Sequence, residues 1–145
     1  MGQDHESVPD AETVYRRLSD DSPDMVVVDA VSGDRRPSSG AFKPDEDGVS
    51  VYRKSLLEDR QLTPADLAPR PGNLVVSINV GEVRSLSLDV EDDPWPQGIP
   101  EHDHPRNAAH ALIVGWDGLS TSARKQRQRA LSSLPSLEFA FPAQK

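Results

Sequence analysis

Apolar and polar residues alternate in several short segments of the chain, and this pattern predicts a protein built largely from brief strands. The clearest segment is 73–80, in which every second residue from Leu74 to Val80 is apolar. A period of two turns one side of an extended segment toward a core, so 73–80 is predicted to be a strand. Shorter segments of strand character occur at 25–28, 49–52, 86–90, 109–114 and 137–141.

Helix signals are fewer, and most of them depend on capping residues and prolines. Serine, threonine and aspartate are preferred just before a helix, while proline is tolerated in the first turn and ends a helix later. These rules predict helices from the capping box of Ser7 and Asp10 through Leu18, for a few residues from Thr63-Pro64, for one or two turns at 81–86, and over 120–134 up to Pro135. Loop is expected over most of 32–47, and no regular element over the proline-rich segment 92–107.

These elements predict an α+β protein: a single small domain with a mostly antiparallel sheet of five or six short strands and about three helices. The connections are too short for the crossovers that parallel strands need. A length of 145 residues fits one domain, and a mean hydropathy of −0.59 indicates a small core. Residues 1–34 hold nine acids and two bases, which is most of the net charge of −8. We therefore expect an acidic, flexible arm over 1–12 and the folded domain over 13–145.

Several classes of function find no support in the sequence. The chain has no cysteine, which excludes a thiolate nucleophile, a disulfide framework and a cysteine zinc site. It begins without a secretory signal and contains no apolar run of the roughly 20 residues that span a bilayer, so a cytoplasmic protein without a membrane partner is expected. The motif Gly-x-Ser-x-Gly, the dinucleotide fingerprint and His-Glu-x-x-His do not occur, so no common hydrolase or nucleotide-dependent enzyme is indicated.

Three histidines form the first candidate site, for a metal ion. His102 and His104 alternate, so their side chains point the same way in an extended segment, and His110 could complete a set of three nitrogen ligands. The alternative is a polar surface loop with incidental affinity for divalent ions. His110 itself begins the apolar run 111–114, where a histidine is either a hydrogen-bonded structural residue or a rigidly held general acid or base.

The second candidate is the loop Arg35-Arg36-Pro37-Ser38-Ser39-Gly40, which suits an anion. A guanidinium group can hold a phosphate or carboxylate through two parallel hydrogen bonds, and serine hydroxyls add further donors. The glycine-rich frame of a Walker phosphate loop is absent. The alternative is a solvated loop whose arginines pair with nearby acids such as Asp34 and Asp45.

The third candidate is the basic stretch 124–129, which holds four bases, with no acid anywhere from 120 to 134. Such a helix could lie on nucleic acid phosphates, or its bases could complement the helix dipole on an ordinary surface helix. A third possibility is electrostatic contact with the acidic arm of the same chain. The acidic remainder of the chain makes nucleic acid an unfavoured partner.

Several of these landmarks together resemble a family of small bacterial proteins of unknown function. The motifs are, in chain order, Tyr15-Arg16-Arg17, Val27-Val28-Asp29, Arg35 to Phe42, Val49-Ser50-Val51, Asp93-Pro94 and Ala109-His110-Ala111-Leu112. The family has no assigned activity, so the resemblance transfers positions and not chemistry. It implies that the polar positions to watch are Arg36, Ser38, Ser39, Ser50 and His110. The chain departs from the family in its acidic arm and at 115–118, where a lysine-bearing segment is expected.

Two functions follow as hypotheses. In the first, the protein is a small enzyme or ligand-binding domain in which Arg36, Ser38 and Ser39 neutralise and orient an anionic or phosphate-bearing ligand while His110 transfers a proton. In the second, it is a non-catalytic protein–protein interaction module or accessory subunit, whose acidic arm and basic helix contact other proteins. The first hypothesis requires Arg36, Ser38, Ser39 and His110 to gather around one pocket.

Overall fold

An antiparallel sheet of six strands organises the structure, a computed structural model that describes residues 8–19, 25–68, 73–94 and 105–141. The strand order in the sheet is β6-β7-β4-β1-β5-β8, and β2 and β3 form a separate two-stranded sheet. The strands are β1 (Thr13–Ser19), β2 (Val26–Val28), β3 (Arg35–Pro37), β4 (Val49–Arg53), β5 (Asn73–Asn79), β6 (Asp89–Asp92), β7 (His110–Val114) and β8 (Glu138–Phe141). The helices are α1 (Lys54–Glu58), α2 (Val80–Arg84) and α3 (Thr121–Leu131), with short 3₁₀ helices at Ser39–Phe42, Pro64–Leu67 and Pro105–Ala109.

The prediction of an α+β fold with a mostly antiparallel sheet is confirmed. Strands were expected in six of the eight places where they occur, and the last of them, β8, lies at the edge of the sheet. The predicted helix at 120–134 is present as α3, and Ser120 caps it by accepting a hydrogen bond from the Ala123 amide at 3.1 Å.

The prediction of a first helix through Leu18 is wrong, because this segment is β1, an interior strand of the sheet. It pairs along its whole length with β5, from Thr13 opposite Asn79 to Ser19 opposite Asn73, and with β4 on its other side. Val14 and Leu18 are four residues apart, a spacing that suits a helical face and one face of a strand alike. Pairing with β5 along the whole of β1, and with β4 at Val14 and Tyr15, gives its backbone groups partners in the sheet and selects the strand. The packed part of the chain also extends back to Val8, which is 1% exposed.

Two other segments contain more regular structure than expected. Within 32–47, predicted to be mostly loop, β3 pairs with β2 through a turn in which the Gly33 amide donates to the Asp29 carbonyl at 2.9 Å. Within 92–107, where no regular element was expected, the 3₁₀ helix begins at Pro105. Proline is compatible with that position because the first amides of a helix have no partner inside it.

The sheet separates a main core from a smaller one. Val14, Val51 and Ile78 point into the main core, which is covered by β2, the 3₁₀ helix at Ser39–Phe42, α2 and α3. Tyr15 and Tyr52 point into the smaller core, which α1 and the other two 3₁₀ helices cover. No helix in the described part of the chain is both long enough and apolar enough to cross a membrane.

Candidate functional site

His110 and Ser50 lie side by side on the face of the sheet that carries the smaller core. His110 is the first residue of β7 and is opposite Tyr52 of β4. Ser50 precedes Tyr52 by two residues, so its side chain leaves β4 on the same face as Tyr52. The His110 Nε2 and Ser50 Oγ atoms are 3.1 Å apart, which is a hydrogen bond. Adjacent strands thus bring together two of the residues that the sequence singled out.

Asp93 completes a chain of three hydrogen-bonded side chains. Its amide donates to the His110 carbonyl at 2.9 Å, which continues the pairing of β6 with β7 by one residue. The His110 Nδ1 atom is 3.0 Å from the Asp93 carbonyl oxygen and 3.1 Å from its Oδ2. A carbonyl oxygen can only accept, so Nδ1 carries a proton. In neutral His110 the Nε2 atom is then the acceptor, and the Ser50 hydroxyl donates to it.

The three groups differ in their exposure to solvent. The His110 side chain is 2% exposed, Ser50 is partly buried, and the Asp93 side chain is 45% exposed. The Tyr52 ring packs edge-on against the imidazole, with ring centroids 5.4 Å apart. Packing and hydrogen bonds on both nitrogens fix the orientation of the imidazole, while Ser50 is only partly buried.

Arg16 joins the backbone of β4 to the 3₁₀ helix at Ser39–Phe42, next to the loop that the sequence predicted to bind an anion. Its Nε atom donates to the Ala41 carbonyl and its Nη1 atom to the Ser50 carbonyl, each at 3.0 Å. In the described residues, β1 pairs with β4 through Val14 and Tyr15. Arg16 is the next residue of β1, and its side chain bonds to β4 just beyond these two pairs. Burial lowers the pKa of Arg16, and the charge of neighbouring Arg17 lowers it further.

Arg36 lies in a different place from His110. With Arg35 and Pro37 it forms one wall of an open groove of about 600 Å³, and the rest of the lining comes from the segment just after α3 and from the start of β8. Ser38 and Ser39 lead into the 3₁₀ helix whose Ala41 and Phe42 are packed in the main core, on the opposite side of the sheet from the Ser50 hydroxyl. The structure therefore groups Ser50 with His110, and Arg36 with the groove, so Arg36, Ser38, Ser39 and His110 do not gather around one pocket as the first hypothesis required.

The predicted metal ligands fall only partly within the described structure. His102 and His104 lie outside the described residues. Among the residues that are described, no three His, Asp or Glu side chains are placed to hold a metal ion. The third candidate ligand, His110, has Ser50 and Asp93 as hydrogen-bond partners.

Sequence reasoning missed Asp93, a member of the site, and Arg16, which bonds to the backbone carbonyl of Ser50. Asp93 stood in the quoted motif Asp93-Pro94, three residues after the alternating segment 86–90, so its position just beyond a predicted strand was the available signal. Arg16 stood in a quoted motif, but its role depends on contacts with residues 25 and 34 positions away.

A buried carboxylate was also missed: Glu12 accepts hydrogen bonds from Ser55 and Arg53, and Arg53 also pairs with Asp92. This network joins the beginning of β1 to α1 and β6 and needs no functional explanation.

Comparison with known proteins adds no relative to this picture: no protein-family model, curated protein or solved structure matches the chain. The resemblance drawn from the short motifs therefore remains an expectation.

Proposed function

We propose that this protein is a small cytoplasmic enzyme that transfers or hydrolyses acyl groups, with Ser50 as its nucleophile. The observation that carries the proposal is the hydrogen-bonded chain from Ser50 through His110 to Asp93. A serine hydroxyl is a weak nucleophile by itself, and an adjacent neutral imidazole activates it by accepting its proton. Because the proton of the neutral imidazole is on Nδ1, Nε2 is available to accept the proton of the Ser50 hydroxyl.

The reaction proceeds in two halves. As Ser50 Oγ bonds to the carbonyl carbon of an ester, its proton passes to His110 Nε2, and the Asp93 carboxylate stabilises the resulting imidazolium. Collapse of the tetrahedral adduct breaks the bond to the leaving alcohol, which takes the proton back from Nε2. Water then attacks the acyl-serine with the same base, releasing the carboxylic acid and restoring the Ser50 hydroxyl.

Ser50 lies within a strand and not on a strand-to-helix elbow, which agrees with the absence of the Gly-x-Ser-x-Gly motif. Strands β4 and β7 are both interior strands of the sheet, so the nucleophile and the base are held on a rigid scaffold. Such positioning allows general-base catalysis of about 10²- to 10⁴-fold.

Labelling with a fluorophosphonate and turnover of 4-nitrophenyl acetate test the proposal. We expect the wild-type chain to gain one covalent phosphonyl group, mapped to Ser50 by peptide mass spectrometry, and to hydrolyse the ester. Ser50→Ala should lose both signals, and His110→Gln, which keeps a polar side chain of similar size, should lose most of them. Ser77→Ala is the matched control, because Ser77 is a partly buried serine on the same sheet face in β5.

Thermal unfolding of each variant shows whether it is folded before activity is compared. Equal labelling of wild-type and Ser50→Ala, or unchanged turnover in folded His110→Gln, would contradict the proposal.

A second candidate function is binding without catalysis, which the groove at Arg35 and Arg36 favours. The groove has Arg35 and Arg36 on one wall and a single acid, Glu138, in its lining. An anionic small molecule or an acidic segment of another protein suits such a surface. A chain that is neither labelled at Ser50 nor able to turn over an ester would favour this function.

A further inference from the structure

The face of the sheet that carries Ser50 and His110 also carries an exposed arginine, Arg17. Tyr15 points into the smaller core, and side chains two residues apart in a strand lie on the same face, so Arg17 leaves β1 on that face. Val75, which is opposite Arg17 in β5, belongs to the smaller core as well. Both neighbours therefore place the Arg17 side chain on the same side of the sheet as the candidate site.

The register of the sheet places Arg17 beside Ser50. Tyr15 of β1 is opposite Tyr52 of β4. Because these strands are antiparallel, the second residue after Tyr15 is level with the second residue before Tyr52. These two residues are Arg17 and Ser50, and β1 is still adjacent to β4 at this level, since Arg16 donates to the Ser50 carbonyl at 3.0 Å. Neighbouring strands lie about 5 Å apart, a distance that an arginine side chain can bridge, so the Arg17 guanidinium can reach a molecule bound at Ser50 Oγ.

Charge on this face is divided between the two sides of Ser50. Toward β6, the half-buried Leu112 is opposite Ser50, and the exposed Glu91 is opposite Leu112. Asp93, the acid of the hydrogen-bonded chain, adds a second negative charge to that side. Toward β1 lies Arg17, whose side chain forms no hydrogen bond or ion pair in the described part of the chain. A negative group of a substrate is therefore repelled by one side of the site and attracted by the other.

We infer that Arg17 is a substrate-binding residue and that it selects esters carrying an oxyanion, either a carboxylate or a phosphate group. The inference rests on the proposed function, because it names the substrate class of that same site. A guanidinium suits this role because its planar fork offers two parallel hydrogen bonds to an oxyanion. The anionic end of the substrate then lies over β1 while its ester carbonyl lies at Ser50 Oγ. The sequence assigned anion binding to Arg36, whereas the register of the sheet favours Arg17.

Two pairs of esters test the inference. 4-Nitrophenyl hemiadipate and 4-nitrophenyl hexanoate have acyl chains of equal length and differ in the charge of the acyl group, whereas 4-acetoxybenzoate and 4-acetoxybenzamide differ in the charge of the leaving group. We expect wild-type kcat/KM to be about tenfold higher or more for the anionic member of one pair, the size of one charge-assisted hydrogen bond. That pair shows which part of the ester lies over β1. Arg17→Gln should lose the preference through a higher KM for the anionic ester, with the neutral ester unchanged, and Arg17→Glu should reverse it.

Arg129→Gln is the matched control, because it removes the same charge from an exposed residue of α3, which covers the main core on the other side of the sheet. It should keep the wild-type preference. Arg17 is exposed, so its variants should fold, and thermal unfolding checks this. No preference in either pair, or a preference that persists in Arg17→Gln, would overturn the inference while hydrolysis at Ser50 stands. If no ester is turned over and Ser50 is not labelled by the fluorophosphonate, the proposed function itself fails, and the inference fails with it.

Discussion

At the scale of single residues, Gly48 controls how β4 enters the sheet just before Ser50. Its φ of +126° is a conformation that residues with a side chain rarely adopt. A Cβ atom at this position would be 2.4 Å from the Ile113 carbonyl oxygen of β7, the strand that carries His110. The Asp45 carboxylate holds the turn by accepting from the Gly48 amide at 3.2 Å. The close contact of β4 with β7, and hence of Ser50 with His110, requires glycine here.

Gly48→Ala should therefore lower the free energy of unfolding by about 2 kcal/mol or more, through backbone strain and the clash with Ile113. Gly33→Ala is the control, because Gly33 also has a positive φ of +77° but a Cβ atom there would meet no described atom within 4 Å. Urea denaturation measures both variants. If Gly48→Ala loses no more unfolding free energy than Gly33→Ala, the close contact with Ile113 does not determine the effect of the substitution.

At the scale of elements, the sequence predicted well those segments whose local pattern and long-range pairing agree. β5 has a clear alternation and β7 is a short apolar run, and both are interior strands, so the local preference coincided with the final structure. The prediction for β1 was wrong because the spacing of Val14 and Leu18 fits a helix and a strand alike. The strands that pair with it, β4 and β5, lie more than 30 residues away in the sequence. The candidate site divides in the same way. Ser50 and His110 belong to predicted strands, whereas the roles of Asp93 and Arg16 depend on pairing that no local pattern records.

The helix α3 offers a test at this scale, because a single residue anchors it. Leu131 is its one fully buried side chain and belongs to the main core with Phe42 of the facing 3₁₀ helix. Truncation to alanine leaves a cavity, so Leu131→Ala should cost about 2 to 5 kcal/mol of unfolding free energy. Ser120→Ala removes only the cap and should cost about 1 kcal/mol. If urea denaturation gives Leu131→Ala no larger a loss than Ser120→Ala, α3 is not held by this contact.

At the scale of the whole molecule, arginines bridge acids from distant parts of the acidic chain. Arg84 pairs with both Asp10 and Asp89, and Arg53 pairs with both Glu12 and Asp92. Each arginine thus joins the segment that leads into β1 to the edge strand β6. A net charge of −8 is therefore compatible with a closed fold, because part of the negative charge is placed around these two cations.

Stability should consequently fall in acid. The hydrogen bond from Arg84 lowers the pKa of Asp89, and the Ser32 and Val31 amides lower that of Asp29. A carboxyl group with a lowered pKa in the folded state stabilises the fold at pH values above its unfolded pKa, about 3.9 for aspartate, and loses that contribution as the pH falls through the folded value. The free energy of unfolding should therefore be level from about pH 7 to 5 and decline below about pH 4.

Asp89→Asn should make the decline shallower, by no more than about 1 kcal/mol because this pair is exposed and screened by solvent. Asp117→Asn, which changes an exposed aspartate in the turn after β7, is the control and should follow wild-type. Urea denaturation from pH 7 to 3 measures all three proteins, and an Asp89→Asn curve parallel to wild-type would refute the assignment.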